Sequence, residues 1–66
     1  MNRYGYCIFE DQSGDVVDTE QGYSSVLDAK TDAVLSASHW TLTHPRGCYS
    51  WDVYDVVLNE TVEVSG

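Results

Sequence analysis

This 66-residue chain has little positive charge, with three Lys and Arg residues against eleven Asp and Glu. The formal net charge is −8 at pH 7. A protein that binds nucleic acid directly neutralises several phosphates, and Arg3, Lys30 and Arg46 are too few to do so. The same charge repels anionic membranes and attracts basic surfaces. The composition therefore predicts a basic protein partner rather than direct binding of nucleic acid.

Cysteine and histidine are also scarce, and their spacing does not suit a metal. Structural zinc sites usually pair their ligands, whereas Cys7 and Cys48 are isolated and His39 and His44 flank a predicted helix end. The chain has no nucleophile elbow, phosphate-binding loop or HExxH motif, and little room for a catalytic pocket. We therefore expect no metal, no cofactor and no enzymatic activity.

Long apolar runs are missing as well. No segment approaches the roughly 20 apolar residues of a membrane span, and the first nine residues lack the features of a signal peptide. These absences predict a soluble cytoplasmic protein in which both cysteines are reduced thiols.

Apolar and aromatic side chains are nevertheless plentiful enough to form a core. Hydrophobic residues make up 42% of the chain, which argues against a disordered acidic tail. A chain of this length is expected to form one small acidic domain over residues 1–66. Large buried areas are expected from the eight aromatic residues: Tyr4, Tyr6, Phe9, Tyr23, Trp40, Tyr49, Trp51 and Tyr54.

The first 20 residues predict a β-hairpin. Residues 3–10 are rich in aromatic and β-branched types, residues 11–14 form a turn signal that ends in Gly14, and residues 15–20 read as the returning strand. A helix is predicted next, over about residues 25–40. Ser25 and Asp28 have the spacing of a capping box, and Val26, Ala29, Ala33, Ala37 and Trp40 form one apolar stripe.

Residues 48–58 give the strongest strand signal, with a bulge expected near Asp55, and residues 61–64 allow a short last strand. Tyr49, Trp51, Val53 and Val57 are predicted to share one face of this strand. The prediction is an α+β fold of the form ββαβ(β), with one helix packed on a three- to four-stranded antiparallel sheet. The order of the strands in the sheet is predicted to be 2-1-3-4, which leaves the second sheet face open.

Acidic residues recur on each predicted element at short spacings. Carboxylates two apart on a strand lie about 6.6 Å apart, and those one helical turn apart lie about 6 Å apart. These spacings approach the phosphate spacing along one DNA strand. We take as candidate partner-binding residues three clusters and one aromatic: Asp15, Asp18 and Glu20; Asp28 and Asp32; Asp52 and Asp55; and Tyr54.

The chain combines small size, strong negative charge and a ββαβ order, and it opens with the segment RYGYCIFEDQSGDVVDTEQGYSS. In these respects it resembles the small phage-encoded anti-CRISPR proteins, several of which are DNA mimics. The resemblance also rests on the segment YSWDVYDVV. It implies a protein of the host cytoplasm that blocks DNA binding by a CRISPR effector or another basic nucleic-acid-binding complex, by steric and electrostatic exclusion and without a cofactor. For the oligomeric state, a monomer is the favoured expectation. Three alternatives remain: acidity for solubility or a salt-rich cytoplasm, a structural or assembly protein that pairs through its open sheet face, and an antitoxin-like partner of a basic toxin.

Overall fold

The computed structural model describes residues 2–65 and has one helix packed on a four-stranded antiparallel sheet. The sheet order is β2-β1-β3-β4, which confirms the predicted α+β fold and the predicted strand order. The elements are β1 (Tyr4–Glu10), β2 (Val16–Tyr23), α1 (Val26–Thr43), β3 (Tyr49–Asp55) and β4 (Glu60–Val64).

The turn between β1 and β2 is held by the carboxylate of Glu10. Its Oε2 atom accepts hydrogen bonds from the backbone N–H of Ser13 at 2.7 Å and from the Ser13 hydroxyl at 3.0 Å. Gly14 closes the turn with a φ of 74°, a region that glycine adopts without steric cost. The predicted hairpin is therefore present, with its second strand extending to Tyr23 rather than ending near residue 20.

Helix α1 begins as predicted and ends three residues later than predicted. The Ser25 hydroxyl accepts a hydrogen bond from the backbone N–H of Asp28 at 3.1 Å, as an N-cap does. At the other end, Pro45 restricts only His44, the residue directly before it. The helix continues up to that point, and the N–H of His44 still bonds the carbonyl of Trp40 at 2.8 Å.

The core lies between the helix and the centre of the sheet. Ala29, Ala33 and Ala37 are buried on the inner face of α1, as the apolar stripe predicted. They pack against Tyr6, Ile8 and Val53 of the two central strands, with Val26, Trp40, Tyr49 and Trp51 at the margin. Small side chains on the inner face bring the helix close to the sheet, so β1 and β3 are covered from above.

Strand β3 is shorter than predicted, because the chain turns after Asp55. Residues 56–59 lie outside the strands, and Asn59 has a φ of 55°. The prediction that Val57 shares a strand face with Tyr49, Trp51 and Val53 is therefore wrong. The register between β3 and β4 shifts between Val53 and Tyr54, close to the position expected for a bulge.

Candidate functional site

The acidic residues of β2 and α1 lie on the same side of the molecule. In the pairing of β1 with β2, Tyr6 is opposite Glu20 and Ile8 is opposite Asp18. Residues paired across a sheet point to the same face, so Asp18 and Glu20 lie on the face that the helix covers. We use the name acidic face for the four carboxylates on this side of the fold: Asp18, Glu20, Asp28 and Asp32.

A hydrogen bond connects the two elements of the acidic face. The hydroxyl of Ser36 on α1 donates to Oδ2 of Asp18 at 2.9 Å. Burial raises the pKa of Tyr23, and the nearby Asp32 carboxylate raises this pKa further. Tyr23, Asp28 and Asp32 line the same shallow depression, so the two helix carboxylates lie beside the end of β2.

The hydroxyl of Tyr6 shows that these charges converge. Burial is the largest cause of its raised pKa, and the negative charges of Asp18, Glu20 and Asp32 raise this pKa further. The rings of Tyr6 and Tyr23 lie 5.9 Å apart between their centroids. Two tyrosines thus form the floor between β2 and the helix, and carboxylates surround them.

No cation offsets the acidic face within residues 2–65. Lys30 points to the other side of the helix, where its Nζ atom lies 2.7 Å from Oε1 of Glu63 on β4. Arg3 pairs with Asp55. Arg46 belongs to the loop after α1, at the opposite end of the helix from Asp28. The acidic face is therefore an unbalanced negative surface.

Asp28 also has a structural role, so its presence is weaker evidence for a partner-binding surface. It lies in the first turn of α1, where a carboxylate interacts favourably with the helix dipole. The Ser24 hydroxyl is 3.4 Å from its Oδ2 atom, which is a weak contact. Asp28 is therefore explained in part by helix stability, whereas Glu20 lies on β2 and is exposed.

The prediction that Asp55 is an exposed binding residue is wrong. Asp55 is 3% exposed, and its Oδ2 atom accepts a hydrogen bond from Nε of Arg3 at 2.9 Å. Its Oδ1 atom accepts from the backbone N–H groups of Val57 at 2.9 Å and Leu58 at 3.1 Å. The bond with Arg3 and those with the two backbone groups lower the pKa of this carboxyl. Asp55 is a structural residue, and it lies on the opposite sheet face from Asp52.

Asp52 and Tyr54 lie on the open face of the sheet, away from the acidic face. They line a shallow depression with Cys7 and Phe9. Partial burial raises the pKa of Asp52. The Tyr54 ring lies over Gly5, where an added Cβ would come within 2.8 Å of it. Tyr54 therefore packs against its own sheet, and a contact with a partner remains a prediction.

Asp15 does not join Asp18 and Glu20. It is exposed in the loop before β2, where its backbone carbonyl accepts a hydrogen bond from the N–H of Glu10 at 2.9 Å. The first predicted cluster is thus divided, and its two strand residues combine with the helix pair instead. The alternation along β2 predicts that Asp18 and Glu20 share a face, but which face requires the register with β1.

Other site types find no support in the part of the chain that the structure describes. Residues 2–65 contain no group of three or more His, Cys, Asp or Glu side chains placed to hold a metal ion. Cys7 and Cys48 are both free thiols. None of the described residues belong to a helix long and apolar enough to cross a membrane.

Sequence reasoning missed one surface feature, the tip of the β3–β4 hairpin. Val56, Val57 and Leu58 are 41%, 59% and 58% exposed. The signal was present in the sequence, because Asp55 can cap a turn and Asn59 tolerates a positive φ. The apolar types of the intervening residues instead favoured a longer strand.

Comparisons of this chain with protein-family models, with curated proteins and with solved structures found no match. The arguments for a function therefore depend on the sequence and on the geometry above.

Proposed function

We propose that this protein inhibits a nucleic-acid-binding protein or complex by acting as an acidic mimic of DNA. The observation that carries the proposal is the acidic face, in which two elements present four carboxylates while Arg3 and Lys30 are neutralised elsewhere. A surface of one sign, held on a rigid scaffold, attracts a basic groove and occupies it.

The dimensions of the molecule suit such a groove. Its principal extents are 37 × 19 × 18 Å, and the long axis is comparable with one turn of B-DNA, about 34–36 Å. A turn of duplex carries about 20 phosphate charges, since B-DNA has one charge per about 1.7 Å of axis. A net charge of −8 is much smaller, so the protein imitates a stretch of one backbone rather than a complete duplex turn.

The resemblance to phage anti-CRISPR proteins selects the first targets to test. A CRISPR effector complex binds its target DNA in a positively charged channel. The proposed inhibitor occupies part of that channel in the host cytoplasm and needs no cofactor, because steric and electrostatic exclusion require no chemistry.

The test is displacement of labelled duplex DNA from a panel of purified CRISPR effector complexes and unrelated basic DNA-binding proteins, at low and high salt. We expect the protein to displace DNA from at least one member of the panel, and to do so less well at high salt because screening weakens the attraction. Failure to displace DNA from any member would contradict the proposal.

A matched pair of variants identifies the surface. Glu20→Gln with Asp28→Asn removes two charges from the acidic face, and Asp11→Asn with Asp15→Asn removes two from the β1–β2 loop. Exposed pairs contribute about 0.2–1 kcal/mol each, so loss of two charges should make the first variant inhibit up to about thirtyfold more weakly. The loop variant should behave like wild type. Equal losses in both variants would mean that only net charge matters.

One observation favours a second function, that of an assembly protein. The open sheet face has half-buried Cys7, Phe9 and Tyr54 around a shallow depression, and it has no covering element in residues 2–65. Antiparallel sheets with such a face can pair with another protein. Concentration-dependent self-association that is lost in Phe9→Ser but kept in the acidic-face variant would favour this role over inhibition.

A further inference from the structure

The hairpin tip formed by Val56, Val57 and Leu58 presents three consecutive apolar side chains to solvent. Each is between 41% and 59% exposed. Turns are normally built from polar residues, glycine and proline, and an exposed run of three apolar residues is costly unless it has a function. The tip therefore has a feature that the stability of the fold does not explain.

The tip is held in one conformation by bonds at its base. Asp55 accepts hydrogen bonds from the backbone N–H groups of Val57 and Leu58 and is itself fixed by Arg3. The N–H of Val56 donates to the carbonyl of Arg3 at 2.6 Å. A preorganised apolar segment loses little conformational entropy when it binds. These contacts favour insertion into a pocket over mere tolerance of exposed side chains.

The tip lies at the same end of the molecule as part of the acidic face. Tyr4 pairs with Asp55 on one side and with Tyr23 on the other, so the end of β3, the end of β2 and the start of α1 are neighbours. Glu60 lies two residues after Leu58 and is exposed, and Asp28 lies in the first turn of α1. The two cations at this end, Arg3 and Lys30, are both paired.

We propose that the tip is the apolar anchor of the complex, inserting into an apolar pocket at the border of the partner's basic, DNA-binding groove. The inference rests on the proposed function and adds to it the site of strongest contact. Burial of apolar surface is the dominant favourable term in most protein–protein association, and surrounding charges act on the rate of encounter and on specificity. The acids near the tip select a basic rim around the pocket. A second copy of this chain fits poorly, because it would bring the same acids and the same net charge.

The experiment repeats the DNA-displacement assay on the panel member that the protein inhibits. Val57→Ser with Leu58→Ser removes the anchor but keeps the backbone N–H groups that Asp55 binds. Leu42→Ser is the matched control, because Leu42 is 81% exposed at the far end of the helix. We expect inhibition by the tip variant to weaken about tenfold or more, with an unchanged dependence on salt, while the control stays within about twofold of wild type.

Circular dichroism melts of all variants show whether the fold is kept, and Leu58→Gln provides a second tip variant if the double variant unfolds. If wild type displaces DNA and folded tip variants do so equally well, the anchor is refuted and the proposed function stands. If wild type displaces no DNA, both are overturned.

Two further measurements test the other occupants of the tip. Sedimentation that shows a dimer in wild type but not in the tip variant assigns the tip to a second copy and overturns the inference. Flotation with phosphatidylcholine vesicles, lost in the tip variant, would assign it to a lipid surface with the same consequence.

Discussion

Asp55 at the end of β3 and Glu20 on β2 are both acidic residues of the sheet, but their surroundings are opposite. Asp55 is 3% exposed and bonds Arg3 and two backbone N–H groups. Glu20 is exposed and adds its charge to those of Asp18 and Asp32 around the Tyr6 hydroxyl. The charge of Asp55 is compensated by Arg3 within the fold, whereas the charge of the acidic face has no cation beside it in residues 2–65.

The difference shows that an acidic count overstates the surface available for binding. Asp55 and Glu63 have intramolecular cations, and Glu10 holds the β1–β2 turn. Among the carboxylates without an intramolecular cation in residues 2–65, the four of the acidic face lie together, whereas Asp11, Asp15, Asp52 and Glu60 lie elsewhere. If this comparison is right, substitutions at Asp55 or Arg3 should change the stability of the fold, and substitutions on the acidic face should change the binding of a partner.

The largest effect is expected from Asp55→Ala. The substitution removes the acceptor for the N–H groups of Val57 and Leu58 and leaves the partly buried guanidinium of Arg3 without its partner. A buried group that loses its partner costs its full desolvation, and we expect this small domain to be largely unfolded at room temperature. Urea titration followed by tryptophan fluorescence measures the change. Stability equal to that of wild type would refute the structural role.

The same site predicts how stability changes in acid. The pKa of Asp55 is lowered in the folded protein, chiefly by its bond with Arg3. Its contribution to the free energy of unfolding is therefore complete above the ordinary value of 3.8, and it is lost as the pH falls through the lowered folded value. Replacing Arg3 by Gln should flatten this part of the pH profile. Denaturant midpoints of wild type and Arg3→Gln, measured from neutral to strongly acidic pH, test this. If the prediction is wrong, the two proteins will lose stability in acid to the same extent.

A smaller effect is expected from Gly5→Ala, which tests how closely β1 packs against β2 and the Tyr54 ring. A Cβ atom at Gly5 would lie 2.6 Å from the carbonyl oxygen of Glu20 and 2.8 Å from the Tyr54 ring. Such contacts require the backbone or the ring to shift, and overpacking of this kind costs about 1–3 kcal/mol. Urea titration measures the loss. Gly14→Ala serves as a comparison in which no atom obstructs the Cβ and only the positive φ opposes it.

The smallest effect on stability is expected from Glu20→Gln on the acidic face. Glu20 is exposed, and the change relieves repulsion from Asp18 and Asp32, so the free energy of unfolding should stay within about 0.5 kcal/mol of wild type. A slight gain is the expected sign, and it should shrink at high salt. A loss above 1 kcal/mol would show that the acidic face, like Asp55, is a structural device.

The repeating features of the fold could be read from the sequence. The alanine stripe at helical spacing, the Ser25 cap and the alternation in β1 and β3 each have a local cause, and together they gave the order of elements and of strands. The tip was not predicted, because the high strand propensity of Val56 and Val57 outweighed the turn signals of Asp55 and Asn59. The exposure of the tip depends on Asp55, and Asp55 depends on Arg3, which is 52 positions away.

The candidate site shows the same limit. Asp18 with Glu20 and Asp28 with Asp32 were predicted as separate pairs on separate elements. Only the register of β2 against β1, together with the position of α1 above the sheet, places them on one side. The prediction that Asp52 and Asp55 form a pair was wrong. Their spacing along the strand puts them on opposite faces of the sheet. Asp55 is buried because it bonds Arg3, a contact that spacing along the strand does not reveal.

The central position of β1 has a consequence for how the chain folds during synthesis. Its partner β2 follows after a short turn, but β3 follows only after the whole helix has been made. At about 5–20 residues per second, one edge of β1 stays unpaired for seconds, and an open edge is a template for aggregation. The acids of β2 and α1 are synthesised during that interval, and we expect their repulsion to keep neighbouring nascent chains apart until β3 covers the edge.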